Sequence, residues 1–339
     1  MTAAGEGSRS SRRSYYFYER THPLVEKRIR MASAPEGQIS GLLSEDLKFV
    51  IPYENDSVAS LNLSPLGDHQ APNSQMIAEA LSGERRATPH NAIETFIRQM
   101  APRLVFSKEV WVELEYIYDN QFDDTTPRAF FIRMIPPGTV EVKRNGVPIQ
   151  YVPSDRTPLT DKKGRSYVEL ERSNLFAFTL SDELSKSTKP VTDFLRISER
   201  EQEDAREMEL LSQAASGDTT LDLSEHLKQK GDIVNRAMSP IGWDVRRLYS
   251  GNQLESFQSW RQLKFLRFKV TLRNRILADL NALINQAGQD FGFQANIELS
   301  GLPTVLEVDA AMSDFENGRK SASAVYQWAI LGGTSWEDR

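Results

Sequence analysis

The clearest pattern of apolar and polar positions in this chain runs from residue 252 to residue 293. Apolar side chains recur there at helical spacing, namely at Leu254, Phe257, Leu263, Leu266, Val270, Leu277, Leu280 and Ile284. The pattern predicts a helix roughly 50 Å long, which ends near Gly288. Such a helix is long for one compact domain, and a single domain is not expected to bury it. We therefore expect the chain to form an assembly.

Shorter patterns predict the remaining elements. Thr88 is a good N-cap before Pro89, and the apolar spacing that follows predicts a helix that Pro102 terminates. Alternation over residues 110–118 predicts a strand, and Asn145-Gly146 predicts a hairpin turn in which both residues tolerate φ > 0. Residues 47–52 are interpreted as a strand, 105–180 as a mostly antiparallel sheet, 295–299 as a strand, and 309–317 and 321–331 as short helices.

Composition limits the class of protein. The 339 residues suggest about two domains, and the net charge of −6 argues against general binding to DNA, so that any contact with nucleic acid must be local. The absence of cysteine excludes disulfides and thiolate metal sites. No apolar run approaches the roughly 20 residues that span a bilayer, and we expect no membrane partner.

Motifs for catalysis are scarce. The sequence has no Walker A loop, no dinucleotide-binding fingerprint, no HExxH motif and no nucleophile elbow. The four histidines are scattered, and three aspartates between residues 119 and 124 lack the spacing of a calcium loop. We expect no catalytic residue, no metal and no cofactor, and the chain is predicted not to be an enzyme.

A basic run on the long helix is the first candidate site. It contains six cations and no carboxylate, namely Arg261, Lys264, Arg267, Lys269, Arg273 and Arg275. These residues could contact DNA phosphates, pair with an acidic surface of an adjacent subunit, or form a basic solvent face within one subunit. We favour the subunit contact over DNA, because opposite charge patches set register in a ring, while the plain solvent face is an equal alternative. Charge reversal at Arg267 and Arg273 is then expected to impair ring assembly.

An acidic stretch is the second candidate. The sequence SEREQEDAREMELL over residues 198–211 predicts a helix whose carboxylates are Glu199, Glu201, Glu203, Asp204, Glu207 and Glu209. These residues could line a channel or face another subunit, and a solvated helix face is the alternative that the sequence itself favours.

The first 22 residues form a basic and aromatic tail, in which Arg12 and Arg13 precede Tyr15, Tyr16, Phe17 and Tyr18. Its composition predicts a flexible segment. Such a tail can bind nucleic acid, but we favour docking of its aromatic side chains on a neighbouring surface.

The order of these elements resembles that of a known family. Residues 135–142 (IPPGTVEV) and 149–152 (IQYV) look like the wing domain of tailed-bacteriophage portal proteins. Residues 241–243 (IGW), the run from Arg261 to Arg273, residues 280–283 (LNAL) and Gly292-Phe293 resemble the long-helix region of those proteins, and residues 316–319 (ENGR) resemble the segment after it. The resemblance covers residues 23–335 and consists of element order and loose motifs.

The resemblance implies an α+β fold with an antiparallel, β-rich wing followed by long stem-type helices, and a ring oligomer. It divides the chain into a flexible basic and aromatic tail (1–22), a wing-like domain (23–189), a helical stem and clip-like region (190–250), and a long basic helix with short C-terminal helices (251–339), which would be a truncated or minimal crown.

The function that this resemblance implies is that of a virion structural protein. Portal proteins are rings, usually dodecamers, at one vertex of the viral capsid, and double-stranded DNA passes through them during packaging and genome ejection. The expected partners are therefore other copies of the chain, the major capsid protein, the terminase and a head–tail adaptor. Another connector or baseplate component and an independent nucleic-acid-binding module are the alternatives.

Overall fold

The residues that the structure describes form helices and three antiparallel sheets, as expected for an α+β protein. The computed structural model describes residues 22–34, 37–52, 60–65, 73–84, 87–118, 127–153, 157, 159–198, 232–244 and 255–330.

Eight helices have described bounds: α1 (Pro23–Ala32), α2 (Gln38–Lys48), α3 (Ser74–Ser82), α4 (Pro89–Ser107), α5 (Asp182–Ser198), α6 (Glu255–Phe291), α7 (Val305–Glu316) and α8 (Ala322–Ile330). Residues 232–238 are also helical. The strands are β1 (Ser60–Pro65), β2 (Glu109–Tyr118), β3 (Pro127–Met134), β4 (Val140–Val142), β5 (Pro148–Tyr151), β6 (Tyr167–Glu169), β7 (Leu175–Thr179) and β8 (Ala295–Ser300).

The sheet predicted over residues 105–180 is present as two separate antiparallel sheets. The first has the order β3-β2-β7, and the second, called here the small sheet, has the order β4-β5-β6. A third pair joins distant parts of the chain, because β1 lies antiparallel to β8. Helix α6 covers the other edge of β8, where the Asn281 side chain accepts from the Ile297 amide at 2.7 Å and donates to the Ile297 carbonyl at 3.1 Å.

The main hydrophobic core lies between one face of the β3-β2-β7 sheet and the helices α4 and α6. Val112, Leu114 and Phe130 supply the sheet side of this core, and all three side chains are buried. Strand alternation turns Trp111 and Leu175 to the opposite face, where the small sheet packs through Val140. The small sheet and helix α4 therefore lie on opposite faces of the three-stranded sheet.

Helix α4 begins where the sequence predicts and ends later. The Thr88 hydroxyl accepts from the Asn91 amide at 3.3 Å, and Pro89 occupies the first turn, so the predicted N-cap is confirmed. The predicted stop at Pro102 is wrong, because the helix continues to Ser107. Proline in a helix interior removes one backbone hydrogen bond. The burial of Leu104 and two further apolar residues beyond Pro102 offsets this loss.

Of two other local predictions, one is wrong and one is confirmed with a different turn geometry. Residues 47–52 do not form a strand, because Leu47 lies in α2 and turns follow it. The Asn145-Gly146 hairpin is confirmed, but only Gly146 has positive φ (81°). The Gly146 amide donates to the Lys143 carbonyl, and the Lys143 amide donates to the Val147 carbonyl. This is a turn followed by a glycine bulge, in which only one of the two residues uses a positive φ.

Helix α6 is buried within this single chain, contrary to the expectation that one domain could not cover it. Leu263, Leu266 and Val270 pack against α7 and α8, while Phe268 and Leu272 pack into the main core. The N-terminal half of α6 is therefore covered on two sides. A helix covered in this way does not by itself require another subunit.

The C-terminus of α6 is fixed by two glycines. The predicted stop at Gly288 is wrong, since the helix continues to Phe291 and Gly292 takes the left-handed conformation (φ 73°). The Phe293 amide donates to the Gly288 carbonyl at 3.0 Å, which is the Schellman arrangement. A Cβ at Gly288 would lie 2.4 Å from the Phe293 carbonyl oxygen, so Gly288 permits a close backbone approach.

One boundary expected from the resemblance lies within a described element. The boundary at residue 190 falls inside α5, where Pro190 is an interior residue. Side chains from α2, α4, α5, residues 234–243, α6 and β8 share one hydrophobic cluster. The wing-like and long-helix regions therefore share a core.

We expect Gly288→Ala to destabilise the protein by about 1–3 kcal/mol, because its Cβ would meet the Phe293 backbone and ring. Gly41→Ala in α2 is the control, since no atom lies within 4 Å of the position that the added methyl group would take; its stability should rise by about 0.5–1 kcal/mol. Urea denaturation of both variants provides the measurement. Equal stability of Gly288→Ala and the wild type would contradict the close-packing argument.

Candidate interface site on the long helix

The six cations predicted as an interface do not share one face of α6. At about 100° per residue, they divide into three directions around the helix. The first direction holds Arg261, Lys264 and Arg275, the second holds Lys269 and Arg273, and the third holds Arg267 alone. Because α6 is covered on two sides in its N-terminal half, several of these side chains point toward other parts of the same chain.

Two arginines of the run are buried and bind carbonyl groups. Arg261 and Arg273 are only 3% and 5% exposed. The Arg261 guanidinium donates to the Trp243 carbonyl, and the Arg273 guanidinium donates to the Pro303 carbonyl at 2.6 Å. Burial lowers the pKa of Arg273 to about 10, so it remains charged at neutral pH. These two residues fasten the segments before and after α6 to the helix.

Arg267 joins three helices. Its Nε lies 2.6 Å from Asp309 Oδ1 on α7, and a terminal guanidinium nitrogen lies 3.0 Å from Glu183 Oε1 on α5. The hydrogen bonds to these two carboxylates raise the pKa of Arg267 above its usual value. The acidic partners of Arg267 thus come from its own chain.

Arg275 binds the end of strand β7. Its guanidinium donates to the Thr179 carbonyl at 2.8 Å and to the Thr179 hydroxyl at 3.0 Å. The same guanidinium lies 2.9 Å from Asp279, whose other carboxylate oxygen accepts from the Thr179 amide at 3.2 Å. This arrangement fixes α6 against the three-stranded sheet.

The two lysines of the run are partly buried. Burial lowers the pKa of Lys269 to about 8; Asp46 opposes this shift and Arg273 adds to it. The Lys269 ammonium lies 5.1 Å from the centre of the Phe265 ring. Burial, and then the charge of Arg261, lower the pKa of Lys264. Neither lysine has the environment of a freely solvated cation.

The geometry therefore gives the arginines of the basic run a structural role within the chain. A contact of these residues with DNA or with another subunit stays a prediction, and it would have to use the partly exposed parts of the side chains. The six residues predicted for the acidic helix lie outside the described part of the chain: Glu199, Glu201, Glu203, Asp204, Glu207 and Glu209.

A second polar cluster joins α1 to the small sheet, and sequence analysis missed it. Glu141 on β4 lies at its centre: Arg28 on α1 pairs with the carboxylate, and the Tyr151 hydroxyl donates to it at 3.0 Å. Arg165 lies above the Tyr151 ring at 4.2 Å and contacts Asp161 at 2.6 Å. Arg28 and Glu141 are 113 residues apart in the sequence, so no local pattern could indicate their pairing.

Hydrogen bonds and nearby positive charges favour the ionised forms of Glu141 and Asp161. Burial alone raises the pKa of Glu141, but hydrogen bonds from Tyr151 and Arg28 and the charges of Arg28 and Arg165 outweigh burial, so the pKa lies below its usual value. Burial also raises the pKa of Asp161, but hydrogen bonds from Arg165 and Lys163 outweigh burial, so this pKa too lies below its usual value. The same burial and the nearby Glu141 carboxylate raise the pKa of Tyr151 to about 12. The cluster is an ion and hydrogen-bond network with no group poised for proton transfer near neutral pH.

Other chemistry is sparse in the described residues. Within the described ranges, no group of three His, Asp or Glu side chains could hold a metal ion. No helix in those ranges is both long and apolar enough to cross a membrane.

No family model, curated protein or solved structure matches the chain. The function must therefore be argued from architecture and electrostatics.

Replacement of Arg273 by alanine should destabilise the isolated protein by roughly 2–3 kcal/mol, because it removes a charged donor from a buried carbonyl. The matched control is Arg319→Ala, whose side chain is 71% exposed and which should change stability by less than about 0.5 kcal/mol. The free energy of unfolding from urea titration distinguishes the two variants. Equal effects would contradict the role of Arg273 in the fold.

This expectation changes the interpretation of the double charge reversal at Arg267 and Arg273. Because both residues have partners within the chain, the reversal should weaken the fold before it weakens any ring. A loss of assembly in that variant is evidence for an interface only if its free energy of unfolding matches that of the wild type.

Acid should weaken the protein partly through Glu141 and Asp161. Because both folded-state pKa values lie below the usual ones, their stabilising effect is present above about pH 4 and is lost as pH falls through the folded pKa values. We expect the Glu141→Gln and Asp161→Asn double variant to be less stable at pH 7 and to lose less stability than the wild type between pH 5 and pH 3. Glu316→Gln, at the exposed end of α7, controls for the loss of a negative charge. Parallel stability curves for the wild type and the double variant would refute the effect.

Proposed function

We propose that this chain is the subunit of a portal-type ring in a tailed-bacteriophage virion. The ring sits at a capsid vertex, provides the channel for DNA packaging and ejection, and carries the head–tail joint. Its partners are other copies of the chain, which form a dodecamer, together with the major capsid protein, a terminase, a head–tail adaptor and double-stranded DNA. The portal subunit itself has no catalytic role.

The order of elements is the observation that carries this proposal. Helix α4 leads directly into β2 of an antiparallel sheet, and the hairpin of the small sheet follows before α5 and the long helix α6. This order supports the wing and long-helix arrangement that the sequence motifs suggested. The segments 135–142 and 149–152, which look like the wing domain in sequence, contribute β4 and β5 of the small sheet.

The described residues on either side of 199–231 give further support. Leu195 before this stretch and Val234 after it are both buried in the same hydrophobic cluster. Trp243 then donates from its indole nitrogen to Asp46 at 2.7 Å, which fixes the chain before α6. In the sequence, the stretch between these two anchors falls within residues 190–250, which the resemblance compares with the stem and clip of the portal family.

Electrostatics are also consistent with passage of DNA in preference to tight binding. Tight binding to phosphates requires cations that are free to replace counterions. In the basic run, Arg261, Arg273 and Arg275 bind carbonyl groups, and Arg267 binds two carboxylates. This arrangement favours a structural ring over an independent nucleic-acid-binding module. Another connector or baseplate component remains the principal alternative.

The mass and shape of the purified full chain test this proposal. We expect native mass spectrometry to give a ring near twelve copies, and negative-stain electron microscopy to show a central hole wide enough for duplex DNA. A closed small oligomer without a channel would favour another virion component. A monomer that binds duplex DNA tightly, with an affinity that falls steeply as salt rises, would favour the nucleic-acid-binding module and overturn the portal proposal.

A further inference from the structure

Two asparagines of this chain are followed directly by glycine, namely Asn145 before Gly146 and Asn317 before Gly318. The side-chain amide of asparagine is converted to a carboxylate most readily in this dipeptide, because glycine has no side chain that shields its amide nitrogen. Both asparagines are exposed in turns, and both glycines have positive φ (81° and 68°). The two dipeptides are therefore a matched pair, and the contacts around each of them can be compared.

The conversion requires no reagent except water. The glycine amide nitrogen loses its proton to solvent and attacks Cγ of the asparagine, the bond from Cγ to the carboxamide nitrogen breaks, and ammonia leaves. Water then opens the resulting five-membered succinimide at either carbonyl, which gives aspartate or isoaspartate. Negative charge develops on the glycine nitrogen and then on the asparagine Oδ1, so the groups near these two atoms determine the rate.

The glycine nitrogens of the two sites have similar contacts. The Gly146 amide donates to the Lys143 carbonyl at 2.8 Å, and the Gly318 amide donates to the Phe315 carbonyl at 3.0 Å. Each nitrogen has to leave this hydrogen bond before it attacks. Because this requirement is shared, a difference in rate has to come from the asparagine side chains and the neighbouring charges.

The Asn145 side chain has contacts that favour the attack. The Val147 amide donates to Asn145 Oδ1 at 3.2 Å. This oxygen is the atom that becomes negative in the tetrahedral intermediate, so the donor stabilises the intermediate. Among the described residues, no group accepts a hydrogen bond from the Asn145 carboxamide nitrogen. The nitrogen that has to leave is therefore not held in place.

The Asn317 side chain has the opposite arrangement. Its carboxamide nitrogen donates to the Ser313 carbonyl at 2.8 Å and lies 3.3 Å from the Ser313 hydroxyl oxygen. These contacts hold the leaving nitrogen against the end of α7. Within the described part of the chain, no N–H group donates to Asn317 Oδ1. The intermediate at this site therefore lacks the stabilisation that Val147 provides at Asn145.

Neighbouring charges increase the contrast. Arg144 is exposed next to Asn145, and no carboxylate pairs with it among the described residues. A nearby positive charge favours the deprotonated glycine nitrogen. The exposed Glu316 precedes Asn317, and the two cations that follow Gly318 pair with Asp314. The charge environment thus favours the reaction at Asn145 over the reaction at Asn317.

We propose that Asn145 is a self-modifying site, which converts to aspartate and isoaspartate in the folded protein in preference to Asn317. Isoaspartate adds one carbon to the main chain in the turn between β4 and β5. This turn is held by the Gly146 amide on the Lys143 carbonyl and by the Lys143 amide on the Val147 carbonyl. The added carbon displaces these groups and weakens the pairing of β4 with β5.

The effect of isoaspartate extends to α1. Strand β4 carries Glu141, which pairs with Arg28 on α1. A weaker β4–β5 pairing therefore loosens the contact between α1 and the small sheet. Aspartate leaves the length of the main chain unchanged and places a negative charge beside Arg144, so it has no such effect. The inference concerns a single folded chain and holds whether or not the chain forms a ring.

The rates at the two sites, measured in the folded and in the unfolded chain, test this inference. The full chain is incubated at neutral pH with and without concentrated urea, and the peptides that contain residues 145 and 317 are quantified by mass spectrometry over time. The ratio of the two rates in urea gives the effect of sequence alone. We expect the ratio of the Asn145 rate to the Asn317 rate to be about fivefold higher in the folded protein. A ratio that is equal or lower in the folded protein, or no reaction at Asn145 there, would overturn the proposal.

A charge variant tests the role of the neighbouring cation. Arg144→Gln should slow the reaction at Asn145 about twofold or more and leave the rate at Asn317 unchanged. Lys162→Gln removes another exposed cation of the same region and is the control, which should change neither rate. Equal rates at Asn145 in the wild type and in Arg144→Gln would contradict the electrostatic part of the argument.

Hydrogen exchange tests the consequence of the modification. The isoaspartate form is separated from the incubated protein by ion exchange and compared with unmodified protein and with the Asn145→Asp variant. We expect amide exchange in β4 and α1 to be several-fold faster in the isoaspartate form and close to that of the unmodified protein in Asn145→Asp. Asn145→Gln, incubated in the same way, controls for other changes during incubation. Equal exchange in the isoaspartate and unmodified forms would refute the effect on the small sheet.

Discussion

The burial of the long helix on two sides is the constraint on which the rest of the structure depends. Helix α6 contributes to the main core through Phe268 and Leu272 and to a second cluster, with α7 and α8, through Leu266 and Val270. A helix in this position has little surface left for charged groups. The arginines of α6 must therefore find partners inside the chain, and those partners are parts of the elements that surround the helix.

Each contact of these arginines therefore connects α6 to another part of the chain. Arg261 binds the carbonyl of Trp243, whose indole binds Asp46 on α2. Arg267 connects α6 to α5 and α7, and Arg273 binds the turn before α7 through Pro303. Guanidinium groups suit this role, because their planar donors reach carbonyl and carboxylate groups while the charge is retained. The basic run in the sequence of α6 therefore corresponds to contacts between elements of the same chain.

The sequence predicted those parts of the fold that depend on local periodicity and capping. The N-cap at Thr88, the hairpin at Gly146 and the existence of the long helix α6 follow from the residues themselves. Predictions failed where distant packing decides the outcome: Pro102 is tolerated because Leu104 is buried, and Gly288 is interior because Phe293 packs against it. The partners of Arg267 and Arg28 lie in distant elements, so no spacing in the sequence could reveal them.

The same reasoning determines where interaction surfaces should be sought. A charged residue in a sequence is evidence for a partner molecule only if the fold leaves it unpaired, and the arginines of α6 are largely paired within the chain. Uncharged residues are easier to overlook, yet Asn91, Thr95 and Gln99 are exposed in a row on α4, near β3, which is an edge strand among the described strands. Exposed hydrogen-bonding groups above an apolar floor are a general feature of binding surfaces, and the surface along α4 combines the two.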